Sequence, residues 1–138
     1  MILQLIRILS DFGLVVLIWM VQLIIYPSFA RYTTKNLLPW HRVYAKRLSA
    51  IVIPLMFTQL FAIAYQLYRS QEFYTYLSAV LVVLVWIATF TKFVPLHNNI
   101  AKDYNVQDSV KKLIQGNWIR TVLWTVLFLV SLWNMLGS

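Results

Sequence analysis

The chain has 138 residues, of which 61% are hydrophobic and only four are acidic, and it contains no cysteine. With a mean hydropathy of +0.71, it cannot form a soluble globular surface, which indicates one integral membrane domain over residues 1–138; the missing thiols exclude disulfide exchange and thiolate metal sites. The net charge of +8 lies in short loops between apolar segments, so it reports membrane topology and lipid contact and argues against nucleic acid.

Four segments are long and apolar enough to cross a hydrocarbon core, which needs about 20 helical residues. The first covers about 8–26 and is expected to end at Pro27, and the second covers about 48–68. The third covers about 73–94 and is expected to end at Pro95, and the fourth covers about 118–136. We therefore predict an all-α, up-down-up-down four-helix bundle in the membrane.

The segment before the fourth span has helical propensity of its own. Residues 108–115 (DSVKKLIQ) begin with Asp108, which favours a helix start, and their apolar side chains share one face. We predict a short interfacial helix here between spans three and four, with Gly116 allowing the turn into the fourth span.

Basic residues are concentrated on one side of the predicted bundle. Ten of the twelve lie in the first and third loops or at the span ends beside the third loop, whereas Arg7 and Arg69 lie on the opposite side. The positive-inside rule then places these two loops in the cytoplasm and both termini away from it. The inner membrane of a bacterium is the expected location.

Polar residues recur at three- and four-residue steps along the spans. These faces should turn inward, because an amide or a guanidinium that faces lipid has no partner. On the second span the inward face includes Gln59. The cytoplasmic half of the bundle then collects Gln22, Tyr26, Lys92, His97, Asn117, Arg120 and Trp124, with His41 near its rim.

Several of these residues have a simpler explanation. Asn117, which precedes an apolar run, fits a helix N-cap, and Arg120 could extend its side chain to lipid phosphate. Trp118 fits the aromatic belt at the membrane interface. Arg7 and Asp11 are four residues apart and should form an interfacial ion pair, although Asp11 could also handle protons.

The two histidines both fall on the predicted cytoplasmic side. His41 and His97 could together bind haem or a metal, since neutral imidazole is a good ligand. They sit near predicted helix ends, without cysteine or a pair of carboxylates beside them, so we expect no metal and no cofactor. An acid–base role for His97 is favoured over ligation, because imidazole titrates near neutral pH.

Four motifs together resemble the anthrone oxygenase-like family of small four-helix membrane proteins. They are Tyr26-Pro27, the basic segment from His41 to Pro54, VPLHNNI at 94–100 and NWIRTVLW at 117–124. The resemblance covers most of the chain and depends mainly on the last two motifs. Many members of this family have no assigned function.

The resemblance implies a monooxygenase that converts an anthrone into an anthraquinone without an evident metal or flavin. His97 would be the catalytic base, and Asn98, Asn117 and Arg120 would stabilise negative charge. Other residues that would bind the aromatic substrate are Tyr26, His41, Gln59, Trp118 and Trp124.

Two other functions remain open from the sequence. One is a non-enzymatic membrane subunit that binds a lipophile or assembles into a homo-oligomer or a larger membrane complex. The other is the haem- or metal-binding redox protein considered above. In each case the expected partners are a hydrophobic small molecule and membrane lipid. A channel or transporter is disfavoured, because the spans lack charged pairs at the midplane and broken-helix signals.

Overall fold

The computed structural model describes residues 1–137, and within them the chain forms four long helices and no strand. We label these helices α1 (Ile2–Phe29), α2 (Thr34–Arg69), α3 (Phe73–Ala101) and α4 (Val106–Leu136). By length and hydropathy each of them could cross a membrane. The predicted all-α fold with four apolar helices is therefore confirmed.

Two prolines do not end the helices that contain them. α1 continues through Pro27 and α3 through Pro95, and each proline follows closely on a π-helical segment, Val21–Ile25 or Thr89–Phe93. Proline has no N–H to donate, and its ring crowds the carbonyl four residues earlier, so a widened turn just before it relieves both problems. The two spans thus extend beyond the ends we predicted, and they carry Tyr26 and His97 on helices.

The segment before the fourth span is helical, as predicted, but it is the continuous start of α4 and not a separate interfacial helix. Gly116 makes no turn: a Cβ there would lie 2.5 Å from Cε and Nζ of Lys92, so the glycine gives that side chain room. The turn between α3 and α4 instead uses Asp103 and Asn105, whose φ angles are 57° and 44°. Apart from glycine, residues with short polar side chains tolerate this left-handed conformation best.

The helices enclose an apolar core with a polar cluster towards each end. α1 packs against both α2 and α4, and α3 packs against α2 and α4. Leu14, Val85 and Leu127 are fully buried in the middle, while large apolar side chains such as Phe61 and Leu129 are exposed on the outside. An apolar exterior around polar interior clusters is the pattern that a hydrocarbon surrounding demands.

Candidate functional site

A cavity of about 380 Å³ lies among the four helices, within the usual range for small-molecule sites. Its walls are mostly apolar and aromatic, and they include Ile18, Val52, Met56, Trp86, Phe93 and Trp124. Polar groups reach it mainly near one end, from Tyr26, Tyr44, His97, Asn98 and Arg120. A flat apolar molecule with a polar group at one edge would match this lining.

Arg120 is the cation of the cavity, and its side chain is held by neutral partners. Its Nε and Nη2 donate to Asn117 Oδ1 at 3.0 and 2.9 Å, and Nη2 also donates to the Tyr26 hydroxyl at 3.0 Å. Nη1 makes a long contact of 3.5 Å with Thr89 Oγ1. The Nη1 edge of the guanidinium is therefore the least used by the protein.

The charge of Arg120 has no anionic partner in the described part of the chain. The ion pairs among residues 1–137 are Arg7–Asp11 and Lys112–Asp108, and neither involves Arg120. The guanidinium instead lies over the Phe93 ring, 3.7 Å from its centroid, with an exposed fraction of only 7% for the residue. Because a buried charge without a counterion is costly, this position favours an anionic or strongly dipolar ligand.

A hydrogen-bonded chain leads away from Arg120. The Tyr26 hydroxyl lies 3.0 Å from His97 Nε2, and His97 Nδ1 lies 2.9 Å from His41 Nε2. Since a guanidinium only donates, the Tyr26 oxygen accepts from Arg120, and its own proton is directed to His97 Nε2. His97 then carries its proton on Nδ1 and donates it to His41. The hydrogen-bonded chain Tyr26–His97–His41 is a path along which a proton can move.

The two histidines form a hydrogen-bonded pair. The two rings are stacked at 23°, and their facing nitrogens are hydrogen-bonded to each other, whereas two ligands of one metal would each point at it from about 2 Å. Within residues 1–137 no group of three or more histidine, cysteine or carboxylate side chains could hold a metal ion. His41, which we expected near the rim, is buried beside His97.

The simpler explanations of two residues do not hold. Asn117 is no N-cap, because α4 begins at Val106 and the asparagine lies well inside the helix. Arg120 does not extend outward to phosphate, since it is buried and its hydrogen bonds are internal. Lys92, which we expected in the inward cluster, is exposed instead.

The structure brings most of the predicted site residues together. Those that line the cavity are Tyr26, His97, Asn98, Arg120 and Trp124. His41 and Asn117 contact lining residues from behind, and Gln59 accepts a hydrogen bond from Trp124 Nε1 at 3.1 Å. Trp118 lies apart: it is 45% exposed and meets Trp19 edge-on, so it does not stack on anything in the cavity.

Among the lining residues that sequence reasoning missed are Tyr44, Trp86, Thr89 and Phe93. Thr89 and Phe93 belong to the π-helical segment before Pro95, and that proline was the available signal. Tyr44 follows His41 by about one helical turn, and it packs edge-on against Phe29 beneath the histidine pair. Trp86 lay within an unbroken apolar run and gave no signal.

A second polar cluster lies towards the opposite end of the bundle. The predicted pair of Arg7 and Asp11 is present at 3.1 Å, and both residues are fully buried. Asp11 also accepts from Gln59 at 2.7 Å and from Ser131 at 2.8 Å, while Arg7 donates to Gln66 and Tyr74. Because Gln59 also accepts from Trp124, this cluster is joined to the wall of the cavity.

No family model, curated protein or solved structure matches this chain. What the fold and the site define is a protein with four helices of transmembrane length and an internal aromatic cavity that carries a buried cation. The functional argument therefore starts from the geometry of that cavity.

Proposed function

We propose that the protein is a membrane-embedded, cofactor-independent oxygenase that acts on a hydrophobic aromatic substrate of anthrone or quinone type. The observation that carries the proposal is the contact of Arg120 with the Tyr26–His97–His41 chain at one cavity that is lined mostly by apolar and aromatic side chains. In the orientation that we propose from the basic loops, this site faces the cytoplasmic leaflet of a bacterial inner membrane.

Proton removal is the first step of the proposed reaction. Both ring nitrogens of His97 are already hydrogen-bonded, so it would receive a proton through Tyr26 and not directly from the substrate. The Tyr26 oxygen takes the proton from the activated CH₂ group of the substrate and passes its own to His97 Nε2, which in turn gives the Nδ1 proton to His41. Tyr26 is thus the group that touches the reacting atom.

Charge stabilisation is the second contribution of the site. The carbanion that forms spreads its charge onto the carbonyl oxygen of the ring system, and the Nη1 edge of Arg120 is available to donate to that oxygen. Asn117 fixes the guanidinium by accepting from two of its nitrogens. The surrounding apolar walls exclude water, which strengthens this interaction.

Dioxygen is the oxidant. The electron-rich carbanion transfers an electron to dioxygen, and a carbon–oxygen bond forms at the former CH₂ carbon. Loss of water then gives the second carbonyl group. One oxygen atom of dioxygen becomes that carbonyl, and the other leaves in water with the two hydrogens of the CH₂ group, so anthrone and dioxygen give anthraquinone and water.

The test is oxidation of anthrone by the purified protein in lipid nanodiscs. Oxygen uptake and anthraquinone absorbance measure the rate. Because anthrone oxidises slowly by itself, the comparison is with the Tyr26→Phe variant, and Trp118→Phe is the control outside the cavity. Wild type and Trp118→Phe should exceed the spontaneous rate, and Tyr26→Phe should not. Equal rates with and without protein would reject the proposal.

A non-enzymatic lipophile-binding protein is the second candidate. The observation that favours it is that the ring nitrogens of His97 are engaged by Tyr26 and His41, as in a purely structural cluster. It predicts that anthrone binds in the cavity and changes tryptophan fluorescence while oxygen uptake stays at the spontaneous rate. The same nanodisc preparation therefore separates the two candidates.

A further inference from the structure

The walls of the cavity are unequally buried. The lining residues from α1 and α4 are buried or partly buried, and Ile18, Tyr26 and Trp124 among them are at most 2% exposed. By contrast, α2 contributes Ile53, which is 50% exposed, and α3 contributes Phe90, which is 57% exposed. The exposed lining residues come from these two helices alone, so the cavity opens sideways between α2 and α3.

The rim of this opening is mainly apolar, with Ser49 and Asn98 as its polar members. Besides Ile53 and Phe90, it carries Phe57 on α2 and Val94 on α3, which are 43% and 39% exposed. They belong to helices that are long and apolar enough to cross a membrane. In a bilayer, side chains of this kind at such a position would face hydrocarbon, which makes the opening a passage for lipid-soluble molecules.

The charged group of the cavity is buried behind this rim. Arg120 comes from α4 and is 7% exposed, and it rests on Phe93 and near Trp124. A ligand whose oxygen contacts Arg120 therefore points its remaining atoms towards α2 and α3. The volume of about 380 Å³ is at the low end for ligand sites, so it suits a ring system and leaves little room for a long chain.

We infer that the substrate is a tailed lipid-soluble aromatic, with its oxygen-bearing ring at Arg120 and its alkyl or isoprenoid tail passing between α2 and α3 into the bilayer. This inference rests on the proposed function, which it deepens by naming the substrate class. The tail stays in hydrocarbon throughout, so binding requires little desolvation beyond the ring.

The first experiment maps the tail directly. A 2-decylanthrone with a diazirine on the tail is photolysed with the protein in nanodiscs, and the modified residues are found by mass spectrometry. Modification is expected at 49–57 and 90–94 and should disappear when excess untailed anthrone competes for the cavity. Modification confined to α1 or α4, or modification that untailed anthrone does not reduce, would overturn the inference.

The second experiment narrows the opening. Val94→Trp adds bulk at the rim, and Val122→Trp adds the same bulk at a position on α4 that is 55% exposed and does not line the cavity. Val94→Trp should raise the ratio of the KM for 2-decylanthrone to the KM for anthrone about tenfold or more, since apolar pockets discriminate by such factors. Val122→Trp should change neither.

The two proposals fail in different ways. If the wild type oxidises anthrone but Val94→Trp alters both KM values equally or neither, the side opening is rejected and the oxygenase stands. If neither anthrone nor its decyl derivative is oxidised, the oxygenase is rejected, and the tailed substrate with it.

Discussion

The guanidinium carbon of Arg120 lies 3.7 Å from the centroid of the Phe93 ring, so the buried cation rests on an aromatic face instead of a carboxylate. Phe93 closes the π-helical segment of α3, and Asn117 holds the same guanidinium from within α4. A neutral support of this kind fixes the position of the charge without neutralising it. The charge remains available to a ligand.

Removing this charge should impair turnover strongly. Arg120→Met should lower kcat for anthrone oxidation about 100-fold or more, because loss of one donor to a developing oxyanion has effects of that size. Arg120→Lys keeps the charge but loses the planar donor pattern that Asn117 and Tyr26 use, so its activity should fall in between. Steady-state kinetics in nanodiscs provide the measurement. An Arg120→Met protein with wild-type kcat would refute the assigned role.

Turnover should depend most strongly on Tyr26, the first residue of the proton path. Tyr26→Phe removes the hydroxyl between Arg120 and His97 and should lower kcat about 100-fold, the usual minimum for loss of a general base, with little change in KM. His41→Phe removes only the far end of the path and should have a smaller effect on kcat. A larger loss in His41→Phe than in Tyr26→Phe would contradict the direction of transfer that we derive.

Two tryptophans on α4 form a matched pair for ligand binding. Trp124 lines the cavity and is 1% exposed, whereas Trp118 is 45% exposed and lies outside it. Trp124→Leu should weaken anthrone binding about tenfold, because a stacking contact of about 1 kcal/mol and the packing behind it are lost. Trp118→Leu should bind as the wild type does. Equilibrium binding in nanodiscs measures both dissociation constants, and equal effects would mean that the ligand is bound elsewhere.

The buried pair of Arg7 and Asp11 should be coupled energetically. Asp11→Leu leaves the guanidinium of Arg7 without its anion and should lower the free energy of unfolding by about 3–5 kcal/mol. The double variant Arg7→Met with Asp11→Leu removes both charges and should recover part of that loss. Denaturation in mixed detergent micelles gives the four stabilities of the cycle. Additive losses would show that the two charges do not interact in the folded protein.

Hydropathy was sufficient to predict the four helices, since an apolar run of span length has few alternatives in a membrane protein. It did not predict that α1 continues through Pro27 and α3 through Pro95. Whether a proline stops a helix depends on whether neighbouring helices and a widened turn can satisfy the backbone, and that is a tertiary property. The contact between His41 and His97 joins the early part of α2, which begins at Thr34, to the continuation of α3 beyond Pro95, so sequence could place both histidines on one side but not in contact.

The site residues show the same division between local pattern and tertiary packing. The three- and four-residue steps on α4 correctly turned Asn117, Arg120 and Trp124 inward. Trp118 was included through its motif, although residues six apart lie roughly 120° from one another around a helix, so Trp118 and Trp124 cannot share one face. The partners of Arg120 on α1 and α3 depend on packing between helices and lay beyond any pattern in the chain.

The two π-helical segments allow the orientation of the polar side chains at one end of the bundle to differ without a change in the packing of the apolar core. Each contains one residue more than the α-helical turn it replaces, so everything that follows is rotated by roughly 100° relative to an unbroken helix. Tyr26 follows one segment and His97 the other. Loss of a single residue from Thr89–Phe93 would leave the packing of the preceding apolar part of α3 unchanged. It would rotate His97 away from Tyr26. An insertion or deletion at either segment would therefore change the relative orientation of Tyr26 and His97 without changing the packing of the apolar core.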